Sequence, residues 1–436
     1  MTELSRIVPL EIYANQCFAA QPDRAAVCYT IPELGETDRG NFMGYYPNGF
    51  YLLMSFLTGP VAATSVILMR LLNSLIFAGG LAALFALTPR SRRANYMLGS
   101  LMALVPLGMF TVASVNPSSW AVISATLLFA SAVEFVRATD RRRRIGLGVL
   151  CAAAFAIGVA SRADAAAYAG LAIVLAWLST VKFTRRALIY GGVAALALIV
   201  GAVWAVSLGS GAGLFNIPPL RPEDLPSGWF QRLQELPGFY TDTFRRGLGW
   251  LDTRTKPSAW ALATVSYFAA IFWGLRRVRW RKAVCLGLVV FLGAAVPIFI
   301  TTARHTLLAE ALQQRYFLPL MIMAVMIALA EDNPYGPELN RAQASLIVVV
   351  LTIANSSALH TNLRRYITGM DGHWFNLNIG MQWWWTLTTP WVPPPMVFWG
   401  VGSAAFMGVL AVAVMSGLKG QDEPSPASVT ARRALI

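Results

Sequence analysis

Charge, cysteine and histidine are all scarce in this chain. Charged residues make up 13% of its 436 positions, about half the share found in water-soluble domains. Four cysteines and three histidines leave little material for a metal centre. There is no Cys-x-x-Cys pair, no His-Glu-x-x-His and no phosphate-loop glycine pattern, which argues against zinc chemistry, nucleotide hydrolysis and dinucleotide redox work. No internal repeat is strong enough to argue for an inverted-repeat transporter.

What fills the chain instead is apolar. Hydrophobic residues account for 56% of the sequence and the mean hydropathy is +0.55, the composition of a polytopic membrane protein. Apolar windows of spanning length lie at 63–88, 97–115, 117–137, 145–160, 165–181, 187–207, 259–275, 283–302, 316–330, 343–359 and 395–416. An all-α integral membrane protein with about eleven transmembrane helices is therefore expected.

The net charge of +14 would suggest nucleic acid in a soluble protein, but here it follows membrane topology. Basic bursts fall in every second loop: Arg90, Arg92 and Arg93; Arg137 with Arg141 to Arg144; Lys182, Arg185 and Arg186; Arg276, Arg277, Arg279, Arg281 and Lys282. With Arg70 and Glu134 set aside as an intramembrane pair of opposite sign, the whole excess falls on one side, which the positive-inside rule makes cytoplasmic. The N terminus is then outside and the C terminus inside. Residues 1–48 would lie outside with no apolar segment to carry them there, so a leading helix, missing from this chain, is expected to precede Met1.

On this topology residues 1–62 form a first extracytoplasmic loop with interfacial helices, and 63–416 the transmembrane domain. Residues 417–436 form a disordered cytoplasmic tail. Long outer segments at 208–258 and 360–394 interrupt the transmembrane domain. Within the former, Trp229, Phe230, Leu233, Leu236, Phe239 and Phe244 recur among charges at near-helical spacing, as in a helix lying at an interface. Trp383, Trp384, Trp385 and Trp391 read as an outer aromatic belt. Cys17 and Cys28, ten residues apart in the first outer loop, are expected to form a disulfide in an oxidising exterior.

Candidate site residues are the polar groups at the outer ends of helices, which are costly to bury alone. Arg70 either snorkels outward or faces a cavity and holds a phosphate, whereas Glu134 beside Arg137 reads as a snorkelling pair. Asn116-Pro117 reads first as a helix cap and second as a helix N-terminus facing an anion. Arg162 and Asp164 are either a mutual turn pair or site residues. Trp250 offers a sugar-stacking face and Asp252 a carboxylate, against the simpler reading of an interfacial turn with a cap. Arg315 beside Tyr316 supplies a guanidinium fork suited to phosphate or else an interface anchor. Glycosyl transfer needs a carboxylate base, and Glu36, Asp38 and Asp252 are the candidates carried forward.

The ordered set CFAAQPDRAAVC, GYYPNGFYLLM, LMRLLNSL, ASVNPSSW, LGWLDT and QQRYFLPL, between Val8 and Leu320, resembles a bacterial family of polytopic membrane proteins of unknown function grouped with the GT-C glycosyltransferases. The resemblance implies a GT-C-like enzyme of the bacterial inner membrane. Such an enzyme moves a sugar from a polyprenyl-phosphate-linked donor to a cell-envelope glycan or lipid acceptor at the outer face. Its partners would be membrane lipid, the lipid-linked sugar and a glycan acceptor, with no nucleic acid. No cofactor is assigned, and a divalent cation is left open. Members generally place an acid just after a first spanning helix, a point before which this chain does not begin. They also often carry an acid after Asn-Pro, where Ser118 stands here, and a Lys-Pro turn where SRADA stands. The alternatives are a flippase or exporter of lipid-linked sugars, and a non-catalytic partner in a glycan-assembly complex.

Overall fold

The computed structural model describes residues 6–9, 18–27, 34–37, 41, 46–180, 185–207, 228–308, 312–330, 340–382 and 392–421. Among these the fold is helical apart from one two-stranded antiparallel sheet, β1 (Arg6–Pro9) with β2 (Leu34–Thr37), in which Ile7 faces Glu36. Fourteen α-helices follow among the described residues. They are α1 (Asn48–Ser55), α2 (Ala62–Leu87), α3 (Arg90–Leu104), α4 (Leu107–Val112), α5 (Pro117–Arg137), α6 (Arg141–Ser161) and α7 (Ala163–Thr180), then α8 (Arg185–Ser207), α9 (Trp229–Arg245), α10 (Pro257–Gly274), α11 (Trp280–Arg304), α12 (Leu318–Leu329), α13 (Arg341–Ile367) and α14 (Pro395–Gln421).

Seven of them, α2, α5, α6, α7, α11, α13 and α14, are long and apolar enough to cross a membrane. Each of the eleven apolar windows falls on helix, but α3, α10 and α12 do not meet that length and hydropathy together, and within α8 the apolar stretch described is Ile189–Gly201. The window at 97–115 is not one helix. Pro106 has no N–H to continue the ladder, so α3 stops at Leu104 and α4 starts at Leu107. The strongest argument for a membrane is what the helices leave uncovered. The most apolar stretch of α11 is only 22% buried, and Val290, Phe291 and Phe299 stand open on it. Surface of that kind is stable against lipid and not against water. By contrast α5, 89% buried in its window, is the central helix around which the others pack.

The helices alternate in direction, and the hydrogen bonds between their ends show it. At one end, the start of α3 meets the end of α5 (Arg92 to Glu134) and of α12 (Asn95 Nδ2 to the Leu329 carbonyl, 2.8 Å), while Lys282 of α11 donates to the Gly274 carbonyl of α10. Every basic burst with described residues lies at this end. Glu134 does not snorkel here: it is fully buried, accepting from Arg92 Nε and Nη2 at 2.7 Å each and from the Tyr96 hydroxyl at 3.0 Å, with Arg143 at 3.4 Å and Arg137 at 3.9 Å. The reason is charge: one carboxylate facing three guanidiniums is better held among them than in water.

Three further differences from the sequence expectations concern the segments between and beyond the long helices. The first outer segment carries a β-hairpin and the short α1, not helices alone. The helix expected to stop at 359 runs on to Ile367, with Leu351, Ala354, Ala358, Thr361 and Arg365 forming its buried stripe. The C-terminal helix likewise extends into the expected tail, to Gln421. Cys17, Cys28, Asp38, Trp383 to Trp385 and Trp391 lie outside the described residues.

Candidate functional site

The end opposite the basic bursts gathers most of the expected site residues, in two groups. The first is built where α6 turns into α7. Arg162 is the residue between these helices, and its guanidinium is nearly covered. It donates from Nε to Asp164 Oδ1 (2.8 Å), from Nη2 to Oδ2 (3.1 Å) and from Nη1 to the Ser118 hydroxyl (3.3 Å). Burial alone would lower the pKa of such a group, but the charge and hydrogen bonds of Asp164 override it and hold the pKa above its ordinary value. Arg162 is a permanent cation.

Ser118 is in place because Asn116 caps α5. The Asn116 side chain accepts from the Ser118 N–H at 2.9 Å and Pro117 fills the first helical position, the arrangement these residue types favour. The cap reading of Asn116 therefore holds, and its side chain is occupied by that bond. The helix start nonetheless presents Ser118 to Arg162.

Aromatic rings close the group. The Arg162 guanidinium stands 4.1 Å from the centroid of Tyr316 and 5.9 Å from that of Tyr46, within cation–π range. Arg315, on the single 3-10 turn Gln314–Tyr316 before α12, stands 5.5 Å from the same Tyr316 ring. Its Nε is buried without a hydrogen-bond partner among the described residues, as is Gln313 Oε1 just before it. Two guanidiniums thus share one ring, and among the described residues the carboxylate of Asp164 pairs with Arg162 alone. The position of Tyr46 follows from α1: Gly49 lets that helix press on α6, since a Cβ there would lie 2.6 Å from the Ala160 Cβ. Tyr51 of α1 is half-covered, and burial, then the neighbouring Tyr46, pushes its pKa up to about 12, so its hydroxyl stays a neutral donor.

The second group centres on a residue that the sequence reading missed. Arg365, near the end of α13, is fully buried and donates from Nη2 to Asp252 Oδ2 (2.6 Å), from Nε to Asp252 Oδ1 (3.3 Å), and from Nη1 and Nη2 to the Arg24 (2.8 Å) and Phe18 (2.6 Å) carbonyls. Asp252 further accepts from the Thr253 hydroxyl (2.9 Å) and the Trp250 N–H (3.2 Å). Burial pushes its pKa up, but the Arg365 and Thr253 hydrogen bonds and the Arg365 charge outweigh this and lower it. Asp252 therefore does not cap the following helix, whose N-cap is Lys256, and both its oxygens are committed. Trp250 is half-exposed and meets Phe18 edge-on at 6.2 Å. Arg70 projects from the exposed side of α2, opposite its buried stripe of Ser65, Met69, Asn73 and Phe77. Its charge bears on Tyr366, next to Arg365, and not on the Arg162 group.

Of the expected bases, Glu36 sits exposed on the hairpin, Asp38 is outside the described residues and Asp252 is tied to Arg365. Among the described residues no group of three or more His, Cys, Asp or Glu is arranged to hold a metal ion. The signal for Arg365 was present in the sequence. It continues the three-and-four spacing of small and apolar residues beyond 359, and only its charge disguised it.

The family model of a predicted membrane protein family, DUF2142, matches residues 33–324, and the chain belongs to that family. Neither the curated proteins nor the solved structures searched gave a match.

Proposed function

For a member of a family defined by its membrane character, we propose that the Arg162–Asp164–Tyr316–Arg315 cluster binds the phosphate of a polyprenyl-phosphate-linked sugar. On this reading the protein is a GT-C-type glycosyltransferase acting at the outer face of the cytoplasmic membrane. The observation that carries the reading is the charge balance at Tyr316. Asp164 neutralises Arg162, whereas Arg315 has no carboxylate within ion-pair distance among the described residues and keeps a buried Nε without an acceptor. A buried donor left unpaired is costly, and a phosphate oxygen is the acceptor a guanidinium fork fits best.

The chemistry is a displacement at the anomeric carbon. An acceptor hydroxyl oxygen forms the new glycosidic bond, the bond from that carbon to the phosphate oxygen breaks, and its electron pair leaves with the polyprenyl phosphate. Arg315 and Arg162 stabilise the charge that grows on that leaving group. The acceptor's proton goes to a carboxylate. Asp164, about a third exposed and oriented by Arg162, is the one this cluster presents. Tyr46, Tyr51 and Tyr316 supply the aromatic wall for a sugar ring.

Binding of polyprenyl phosphate to the purified full-length protein, followed by native mass spectrometry, tests the site. Arg315→Gln is expected to weaken it roughly ten-fold or more, from the loss of a charge-assisted hydrogen bond. Asp164→Asn is expected to retain binding while abolishing consumption of polyprenyl-phosphate sugars by reconstituted protein. Undiminished binding by Arg315→Gln would remove the phosphate site and the transferase reading with it.

A further inference from the structure

Arg364 precedes the buried Arg365 by one position and turns another way. It is only 5% exposed, yet it takes none of its neighbour's contacts with Asp252, Phe18 and Arg24. Its Nη1 donates to the Gly372 carbonyl, in the segment after α13, and its Nε is buried without a hydrogen-bond partner among the described residues. A covered cation with an unused donor is costly. The start of α10 brings a second cation to it. The hydroxyls of Ser258 and Ser357 share a hydrogen bond of 2.8 Å, which sets the first turn of α10 against the face of α13 that carries Ser357, His360 and Arg364 at three- and four-residue spacing. Lys256, which caps α10, therefore stands near Arg364, and burial followed by the Arg364 charge lowers its pKa.

No carboxylate answers these two cations among the described residues. Asp252 is held by Arg365, and Asp242 pairs with Arg246 at 3.4 Å. Asp23 and Asp371 are exposed beside Gly369, and neither bears on Lys256 or Arg364. After Asp371 the sequence has no acid before Asp422. The remaining charges at the start of α10, Arg245 at 5.9 Å from the Trp260 ring centroid and the exposed Arg254, are cations as well. An aromatic wall adjoins them. Phe375 stacks on His360 with ring centroids 5.2 Å apart, His360 Nε2 donates to the Phe375 carbonyl (2.8 Å), and Trp399 of α14 meets the two rings edge-on at 5.6 and 5.5 Å. Trp374 and Phe375 still keep 63% and 66% of their surface open. Open rings beside cations at the ends of apolar helices suit the headgroup level of a bilayer.

We propose that Arg364 and Lys256 bind the phosphate of an anionic glycerophospholipid whose chains lie against Trp374 and Phe375. A guanidinium donor without an acceptor is matched by a phosphate oxygen. A soluble anion would satisfy the cations but leave the rings bare, and a zwitterionic lipid would cover the rings but bring a third positive charge to the pair. The site shares no residue with the Arg162 cluster and does not depend on the reading of that cluster.

The test uses the full-length protein, delipidated in detergent and titrated with phosphatidylglycerol or phosphatidylcholine under native mass spectrometry, with and without inorganic phosphate. The expected result is preferential retention of phosphatidylglycerol, weakened about five-fold by Arg364→Gln or Lys256→Gln and unchanged by Arg254→Gln, which removes an exposed charge nearby. Lys256 is exposed, so its variant carries the test if Arg364→Gln fails to fold. Equal retention of the two lipids, or an equal loss with Arg254→Gln, would overturn the proposal. So would phosphatidylglycerol displaced by millimolar inorganic phosphate, which would make this a soluble-anion site. Arg315→Gln is expected to leave phosphatidylglycerol retention unchanged while weakening that of polyprenyl phosphate, so either proposal fails without the other.

Discussion

Replacing Asp252 by Ala isolates the buried ion pair at the end of α13. Arg365 makes four hydrogen bonds, two to Asp252 and two to the Phe18 and Arg24 carbonyls. The substitution removes the charged half and leaves a fully buried guanidinium with two neutral acceptors. Breaking a buried pair from one side costs about 3–5 kcal/mol, a large part of a total stability of about 5–15 kcal/mol. Asp252→Asn, which keeps the shape and one good acceptor, is expected to cost about half as much. The loss is local first: the segment at 18–27, held by Arg365 and by the Ala26 N–H to Tyr366 carbonyl bond at 2.9 Å, loses its anchor. Trypsin cleavage after Arg24 in the detergent-solubilised protein reports this opening, and its rate is expected to rise about a hundred-fold or more where cleavage follows the open population. Unfolding of the same samples measures the global cost. The pH dependence has a definite sign. The folded pKa of Asp252 is lowered, so its contribution is fully present above the unfolded value, near 3.8, and is lost only as pH falls through the lower folded value. Protection of Arg24 is therefore flat from neutral pH to about pH 5 and fails in stronger acid. Wild-type cleavage rates in Asp252→Ala, with unfolding shifted by under about 0.5 kcal/mol, would refute the pairing. If that variant folded normally but lost sugar transfer, Asp252 would return to the list of bases.

Other outcomes follow from single contacts. Glu134→Gln keeps the size of a fully buried side chain but confronts Arg92, Arg137 and Arg143 with a neutral group. It is expected to cost about 3–5 kcal/mol in detergent unfolding, and a change under about 1 kcal/mol would show the carboxylate to be dispensable. Gly49→Ala drives a methyl into Ala160. It should cost about 1–3 kcal/mol and weaken polyprenyl phosphate binding by displacing Tyr46 and Tyr51, whereas Gly400→Ala, with open space around it, serves as the neutral control. Equal thermal midpoints for the two glycine variants would remove the close approach of α1 to α6.

The helices were legible because a membrane imposes its thickness on the sequence. Each apolar window fell on helix, and the basic bursts marked one set of helix ends. The details that escaped are those in which a polar residue occupies an apolar position. Arg365 and Glu134 sit in buried stripes, where a charge count reads them as loop or interface. Arg70 illustrates the converse: it lies in an apolar stretch that leaves it to snorkel or to face a cavity, and α2 turns it outward. The pairing of Arg162 with Asp164 could be read from their spacing. That Tyr316 and Arg315, about 150 positions away, join them could not, because periodicity carries no information on which helix ends meet. Tyr46 and Tyr51 were visible as an aromatic run, but their place depends on the contact of Gly49 with Ala160.

The bond from Arg365 to the Phe18 carbonyl spans 347 positions of chain, and that distance sets a timetable for biosynthesis. At roughly 5–20 residues per second, the docked segment leaves the ribosome roughly 20–70 seconds before its anchor is made. Through that interval it has no native place to rest, and the helices in between must insert in order without it. Completion of α13 is therefore the event that closes the end opposite the basic bursts, and a chain that stalls before residue 365 carries its first segment undocked, open to whichever chaperone or protease reaches it first.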